Sequence, residues 1–186
     1  MQDEYEHYTS AAKWLHWIMA ALIITVWIAG VYLADLPKGP DKTQWIQWHK
    51  AIGSVVLPLL VARIAWRFTH QPPALPATIP ALQQKVAHWA HWALYGLMLA
   101  QPLSGWAMSS AFGYPVKMAG FITLPFLLDK DEALGKELVE VHEIIGWTLG
   151  ILVTGHILMA LKHHFIDKDT VLLRMVPRHG AKPEQH

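Results

Sequence analysis

The stretch Trp14–Ala34, WLHWIMAALIITVWIAGVYLA, decides the fold of this chain because it contains no aspartate, glutamate, lysine or arginine. As an α-helix rising roughly 1.5 Å per residue, it is about 30 Å long, which is the thickness of the hydrocarbon core of a bilayer. Its residues are apolar on nearly every face, whereas a helix of a soluble bundle has one apolar and one charged face. The stretch therefore predicts a membrane-spanning helix.

Three further segments, 45–66, 86–112 and 141–161, are also largely apolar, and their acidic and basic residues, Lys50, Arg63 and Glu143, lie near the ends of the second and fourth spans. The whole chain of 186 residues is 53% hydrophobic and only 16% charged, so it is poorer in charge than an ordinary soluble domain. The segments between the spans are rich in turn-forming or charged residues and are too short for another domain. Residues 1–186 are therefore predicted to form one all-α domain, an integral membrane bundle of four helices.

Lysine and arginine are distributed unevenly between the two ends of the predicted bundle, and cytoplasmic segments of membrane proteins carry the excess of both. The end with the termini and the second connection has nine: Lys13, Arg63, Arg67, Lys85, Lys162, Lys168, Arg174, Arg178 and Lys182. The other end has six, all lysines: Lys38, Lys42, Lys50, Lys117, Lys130 and Lys136. Both termini are therefore predicted to be cytoplasmic.

Histidine is unusually abundant, with 12 residues in the chain, and several lie inside the predicted spans. Ionisable side chains are costly inside a bilayer and are therefore candidates for a functional role. Because odd-numbered spans run outward and even-numbered spans run inward, each histidine can be given a depth. Two histidines, His49 and His142, fall near the outer face, and four fall near the inner face: His16, His88, His91 and His156.

The fourth span carries a histidine at each level. His142 and His156 lie within roughly 40° of the same helix face and about 21 Å apart along the axis. One helix can thus present a histidine to each of two stacked sites. Two histidine nitrogens on opposite sides of an iron are the ligands of a six-coordinate b-type haem, which suits electron transfer. The chain has no cysteine, so any haem must be held non-covalently.

Depth alone pairs the outer histidines, because only His49 and His142 are available there. At the inner level, His156 has three candidate partners, which are His16, His88 and His91, and their spacing does not choose among them.

Two features of this pattern have a second interpretation. Gly53 and Gly146 follow His49 and His142 by one helical turn, where a glycine would let a flat macrocycle approach the backbone or would simply allow close helix packing.

Zinc is the rival metal, because His88 and His91 have a helical spacing that suits it. With no cysteine and no membrane-embedded carboxylate to complete four ligands, zinc is the weaker hypothesis.

Several strings resemble the bacterial four-helix cytochrome b561 family, which also includes the dihaem b subunits of nickel hydrogenases and formate dehydrogenases. The strings follow the family's order over nearly the whole chain and are specific only as a set. They are Leu15-His16-Trp17, Trp48-His49-Lys50-Ala51-Ile52-Gly53, Val141-His142-Glu143, Gly155-His156, and the tail from Lys162-His163-His164-Phe165 to Leu173-Arg174-Met175-Val176-Pro177-Arg178.

The resemblance implies two haem b groups with four axial ligands. His16 and His156 would hold the inner haem, and His49 and His142 the outer one. His88 and His91 would then be non-ligands that bond to haem propionates or to a quinone. Arg63 and Arg67 are candidate propionate partners, because guanidinium binds carboxylate in a bidentate manner.

The resemblance also implies a function, namely electron transfer through the two haems to ubiquinone in the bacterial inner membrane. The most specific form is a superoxide oxidase, which takes electrons from superoxide at the periplasmic face. A positive approach would speed the encounter with this anion, and Lys42, Lys50 and Lys117 are candidates for it. The outer side as a whole carries six basic and eight acidic residues, so any such funnel is local.

For the quinone, the inner side is predicted, with His163 or His164 bonding a carbonyl oxygen and Trp14 or Trp17 packing on the ring. The alternative for Lys162, His163 and His164 is that they bind phospholipid head groups. The alternative function is that of a membrane anchor, in which the same haems relay electrons between a periplasmic dehydrogenase or hydrogenase subunit and the quinone pool.

Overall fold

A computed structural model describes residues 7–76 and 78–177 of the chain. Four long helices account for most of it, so the predicted four helices and mostly helical fold are confirmed. Three helices extend beyond both ends of the spans predicted for them, and α3 begins five residues before its predicted span and ends one residue short of it, because polar turns at the ends are also helical. Arg178 and Lys182, which contributed to the predicted orientation, lie outside the described residues. The helices are α1 (Ser10–Asp35), α2 (Pro40–Thr69), α3 (Ala81–Ala111) and α4 (Glu132–Lys162), and a π-helical turn (His163–Asp167) continues α4.

The starts of the helices have ordinary local causes. The hydroxyl oxygen of Thr9 accepts the backbone N–H of Ala12 at 3.3 Å and caps α1. The carboxylate of Asp131 accepts two backbone N–H groups at the start of α4. Pro40 is the first residue of α2, where its fixed φ is already helical and its missing N–H costs nothing.

The bundle brings both ends of the described chain to one side. In the packing, α1 lies mainly against α2, and α3 lies mainly against α4. The indole of Trp17, near the start of α1, donates to the carbonyl of Met175 at 2.9 Å. The indole of Trp66, near the end of α2, donates to the hydroxyl of Thr9 at 2.8 Å. We call this side the terminal end of the bundle and the opposite side the hairpin end.

Within the described residues, α1, α2 and α4 are long and apolar enough to cross a membrane. Large apolar side chains on them point outward, as Ile28 on α1 and Ile151 on α4 do, with 57% and 72% of their surface exposed. α3 is less apolar, because it carries polar residues such as Gln101 and Ser104 that turn toward α4. That α3 also crosses the membrane remains a prediction.

A short antiparallel hairpin, which was not predicted from the sequence, lies between α3 and α4 at the hairpin end. Its strands are β1 (Lys117–Met118) and β2 (Ile122–Thr123). The turn between them places Gly120 at φ 87°, a left-handed conformation that glycine adopts without strain. The N–H of Ala119 donates to the carbonyl of Ala51 at 3.0 Å and fixes the hairpin to α2.

Candidate functional site

The two outer histidines lie together near the hairpin end. The ring centroids of His49 on α2 and His142 on α4 are 6.1 Å apart, and the ring planes are inclined by 84°. The pair that depth alone predicted is therefore an adjacent pair in the fold.

Glycines on the other two helices lie against these rings. A Cβ on Gly30 of α1 would be 3.1 Å from Cε1 of His49, and a Cβ on Gly105 of α3 would be 2.9 Å from Cε1 of His142. All four helices therefore shape the outer site. A Cβ on Gly53 would meet Val26 at 3.4 Å, and one on Gly146 would meet the amide of Gln101 at 3.1 Å. Gly53 and Gly146 thus pack against side chains.

The ring of His142 has a partner on each nitrogen, both from α3. Nδ1 lies 2.9 Å from the hydroxyl of Ser104, and Nε2 lies 3.1 Å from the amide nitrogen of Gln101. The single hydroxyl proton of Ser104 is donated to the Gln101 carbonyl at 2.9 Å, so the hydroxyl accepts the Nδ1–H of His142. Nε2 is then the unprotonated nitrogen, which is the form of imidazole that binds metals.

Sequence reasoning did not predict roles for Ser104 and Gln101. The pattern that pointed to them was their polarity inside an otherwise apolar segment, which in a membrane helix marks an internal contact.

At the inner level, two histidines lie beside His156 of α4. The ring centroid of His16 on α1 is 6.1 Å from that of His156, with the planes inclined by 62°. The centroid of His91 on α3 is 5.4 Å away, at 84°. Nε2 of His88 instead accepts the indole N–H of Trp92 at 3.1 Å. The three alternatives left by the sequence are thus reduced by the fold to His16 and His91.

The two predicted arginine partners lie close to the inner histidines. Nε of Arg63 donates to the hydroxyl of Tyr95 at 3.3 Å, and the guanidinium of Arg67 lies 5.8 Å from the centre of the Tyr95 ring. The guanidinium of Arg63 is close enough to interact electrostatically with three histidines, which are His16, His91 and His156. Tyr8 lines the same pocket as both arginines. Burial raises the pKa of Tyr8, and the charges of the two arginines oppose that shift.

The predicted quinone residues have different surroundings. Nδ1 of His163 lies 2.6 Å from a carboxylate oxygen of Asp169 and 3.3 Å from one of Asp167. Lys162 binds Asp167 at 2.6 Å, so Lys162 and His163 form one ion-pair cluster with two aspartates. The indole of Trp14 is 55% exposed on the outside of α1.

Zinc at His88 and His91 has no support in the part of the chain that the structure describes. There, the one group of three histidine or carboxylate side chains with metal-like spacing is His163 with Asp167 and Asp169. In this group, the ammonium of Lys162 already donates a hydrogen bond to a carboxylate oxygen of Asp167.

Two of the histidine pairs have the separation that a shared metal requires. An imidazole nitrogen lies about 2 Å from a bound metal, and the ring centre lies roughly 1 Å behind that nitrogen, so two opposed rings have centres about 6 Å apart. The His49–His142 and His16–His156 pairs, each at 6.1 Å, fit this value, whereas the 5.4 Å of His91–His156 is short.

The outer donor set also fits a metal chemically. Imidazole is a ligand that suits iron, and no described side chain hydrogen-bonds the buried Nδ1 of His49, which lies on the side of the ring that faces Gly30 of α1. Nε2 of His142 carries one lone pair, so the amide of Gln101 and an iron are alternative partners of that nitrogen. A haem iron at this pair therefore requires Gln101 to turn its amide elsewhere.

Comparison with known proteins identifies relatives over nearly the full chain. A family model described as prokaryotic cytochrome b561 matches residues 7–178. "Cytochrome b561 homolog 2" of Escherichia coli (strain K12) is 32% identical over 184 residues, which cover 95% of this chain and 94% of the relative. "Cytochrome b561 homolog 1" of the same organism is 33% identical over 168 residues, covering 89% and 94%. "Probable superoxide oxidase CybB" of Yersinia pestis is 28% identical over 166 residues, covering 88% and 92%.

Proposed function

This chain belongs to the prokaryotic cytochrome b561 family of bacterial membrane proteins that bind haem b, and we propose that it holds two haems and transfers electrons to ubiquinone. The observation that carries the proposal is the recurrence of one geometry at two levels of the bundle. The ring centroids are 6.1 Å apart in the His49–His142 pair and also in the His16–His156 pair, and α4 contributes one histidine to each pair. In this proposal the four histidines are the axial ligands of an outer and an inner haem.

For the inner haem, we assign His16 rather than His91 as the partner of His156. The 6.1 Å separation matches two opposed ligands, and the shorter 5.4 Å separation does not. The Nδ1–H of His91 donates to the carbonyl of Ala87 at 2.6 Å, which leaves its Nε2 directed away from its own backbone. His91 is then a polar neighbour of the inner haem, suited to bonding a propionate or a quinone.

Arg63 and Arg67 are proposed to bind the propionates of the inner haem. Both occupy the pocket at the terminal end that Tyr8 and Tyr95 also line. Both arginines are half-buried, and a guanidinium binds a carboxylate more strongly where water is partly excluded. Tyr95 holds Arg63 in place through the 3.3 Å hydrogen bond to its hydroxyl.

When bound, bis-histidine haems supply one-electron transfer with no open coordination position. The most specific reaction consistent with the family is oxidation of superoxide coupled to reduction of ubiquinone. Two superoxide ions become two molecules of dioxygen and give up two electrons, and one ubiquinone takes up those electrons with two protons. A relative that is 28% identical is named as a probable superoxide oxidase, and this supports the assignment.

Lysines at the hairpin end support the approach of a small anion. Lys50 follows His49 directly, and its ammonium donates to the hydroxyl of Ser109 at 3.0 Å and to the carbonyl of Pro115 at 2.8 Å. Lys42 donates to the carbonyls of Ala34 and Leu36. All four acceptors are uncharged, so they hold the two ammonium groups in place without neutralising them. Lys117 is exposed on the hairpin.

We propose that ubiquinone binds at the terminal end of the bundle, where His163 bonds one of its carbonyl oxygens. Asp169 orients His163 by accepting from Nδ1 at 2.6 Å, so Nε2 is the nitrogen that could bond a quinone carbonyl. Trp14 is exposed on α1, where a lipid-soluble ring arriving from the bilayer could stack on it.

We propose that the terminal end faces the cytoplasm. Lys13, Lys162 and Arg174 lie there, which follows the excess of basic residues on cytoplasmic segments. The hairpin end, with the outer pair, then faces the periplasm.

The purified chain tests the proposed reaction directly. Supplied with superoxide from an enzymatic source and with a soluble ubiquinone analogue, it should form one quinol for every two superoxide ions consumed. His49→Ala should abolish this activity and His88→Ala should retain it. If quinol forms only when a second, co-purifying polypeptide and its own reductant are present, the chain is a membrane anchor subunit and the superoxide assignment is wrong.

A further inference from the structure

The two outer histidines have unequal surroundings, although they would share one iron. Nδ1 of His142 donates to the hydroxyl of Ser104 at 2.9 Å. Nδ1 of His49 is buried, and no side chain in the described part of the chain hydrogen-bonds it, since the interaction given for the His49 ring is with the backbone of Val26 on α1. Only one of the two rings therefore has a side chain that fixes its orientation and its tautomer.

Ser104 is itself fixed as an acceptor. Its only hydroxyl proton goes to the carbonyl of Gln101 at 2.9 Å, a bond to the residue three positions earlier in α3. The oxygen lone pairs therefore face Nδ1 of His142. Gly105, the next residue in α3, leaves room for Cε1 of the same ring. The two consecutive residues thus hold one edge of the imidazole.

We propose that Ser104 is a positioning residue that orients His142 and lowers the reduction potential of the outer haem. This inference rests on the proposed function, because it requires an iron at His142. A group that accepts the far N–H of a ligating histidine makes the ring a stronger donor. A stronger donor favours ferric over ferrous iron, so the hydrogen bond favours the oxidised haem.

The test is redox potentiometry of the full-length holoprotein in detergent. In Ser104→Ala, the outer haem should show a higher midpoint potential, while the inner haem is unchanged. Loss of such a partner changes the affinity of a ligand for its metal by about tenfold or more. When the affinity changes in only one oxidation state of the iron, tenfold corresponds to a change of about 59 mV in the midpoint potential. Ser104→Thr keeps a hydroxyl and should restore the original potential. The outer transition is the one that disappears in His49→Ala.

A matched control separates this role from a general effect of losing a serine. Ser54 on α2 is also half-buried and also donates to the carbonyl three residues earlier, that of Ala51 at 3.0 Å, but within the described chain no hydrogen bond joins it to a histidine. Ser54→Ala should leave both potentials unchanged. The inference is overturned if Ser104→Ala shifts neither potential, or if Ser54→Ala or Ser104→Thr shifts the outer one equally.

A second readout covers the case in which Ser104→Ala binds less haem. The haem that remains in the outer site should still show the raised potential. Failure of the proposed function looks different, because the unmodified protein would then show one redox transition or none.

Discussion

The indole of Trp27 on α1 donates to the carbonyl of Gly146 on α4 at 2.9 Å. Along α1, Trp27 lies between His16 and Gly30, and so between the two histidine levels. Its ring also packs where a Cβ on Gly150 would come within 2.7 Å of it. One aromatic side chain thus joins the first and last helices at the middle of the bundle.

Replacing Trp27 by phenylalanine should destabilise the protein, because the carbonyl of Gly146 loses a partly buried donor. We expect a cost of about 1 kcal/mol, the usual net value of a hydrogen bond, plus a small packing loss. Thermal unfolding in detergent measures it. Trp89→Phe is the control, since Trp89 is 71% exposed, and equal effects of the two changes would contradict this role for Trp27.

Gly105→Ala should lower the haem content of the outer site. The new Cβ would lie 2.9 Å from Cε1 of His142, so the ring has to move. Gly96→Ala on the same helix is the matched control, because no described residue beyond its own stretch of helix comes within 4 Å of its Cβ position. The haem-to-protein ratio after purification measures the effect. If both variants bind as much haem as the unmodified chain, Gly105 is not needed to make room for His142 in the outer haem site.

The choice between His16 and His91 predicts a clear asymmetry. His16→Ala should remove the inner haem, and His91→Ala should keep it, because only His16 has the separation of an opposed ligand. Haem content and the visible spectrum distinguish the two variants. Retention of the inner haem in His16→Ala, together with its loss in His91→Ala, would reverse our assignment.

Arg63→Gln should weaken retention of the inner haem by roughly tenfold or more, because a charge-assisted bond to a propionate contributes about 1.5–3 kcal/mol. Arg63→Lys should recover only part of this, since a lysine cannot bind a carboxylate in the bidentate manner. Transfer of haem to an excess of a soluble haem-binding protein measures retention. Arg174→Gln is the control, because the guanidinium of Arg174 bonds the carbonyl of Ala74 instead. Equal haem loss from the Arg174 and Arg63 variants would argue against the propionate role.

The orientation can be tested without background, because the chain has no cysteine. In intact cells permeable only at the outer membrane, a membrane-impermeant maleimide should label Lys117→Cys on the hairpin and should not label Lys168→Cys at the terminal end. Both should react once the inner membrane is disrupted. Labelling of Lys168→Cys alone in intact cells would mean that the bundle is inverted.

The sequence predicted the four helices well, because helix length and uninterrupted apolar composition are local properties. It also predicted that His49 and His142 meet, since topology leaves one histidine on each of α2 and α4 at that depth. It could not choose a partner for His156, because His16 and His91 lie at similar depth and their choice depends on the rotation of α1 and α3. Helix rotation is set by packing, which a single sequence does not reveal.

Other parts of the site were outside the reach of sequence reasoning for the same reason. The bond between Ser104 and His142 joins α3 to α4 through a residue type that is common in membrane helices. The hairpin at 117–123 has strands of two residues each, too short for any alternating pattern. The pairing of His163 with Asp169 depends on the π-helical turn that follows α4.

The haem-to-protein ratio of the purified chain, measured with its visible spectrum beside those of His49→Ala and His88→Ala, shows whether the paired histidines hold two haems. We predict two haem b groups per unmodified chain, one in His49→Ala and two in His88→Ala, all with low-spin six-coordinate spectra. A colourless protein, a ratio of one in the unmodified chain, or two haems retained in His49→Ala would show that the two histidine pairs do not each hold a haem.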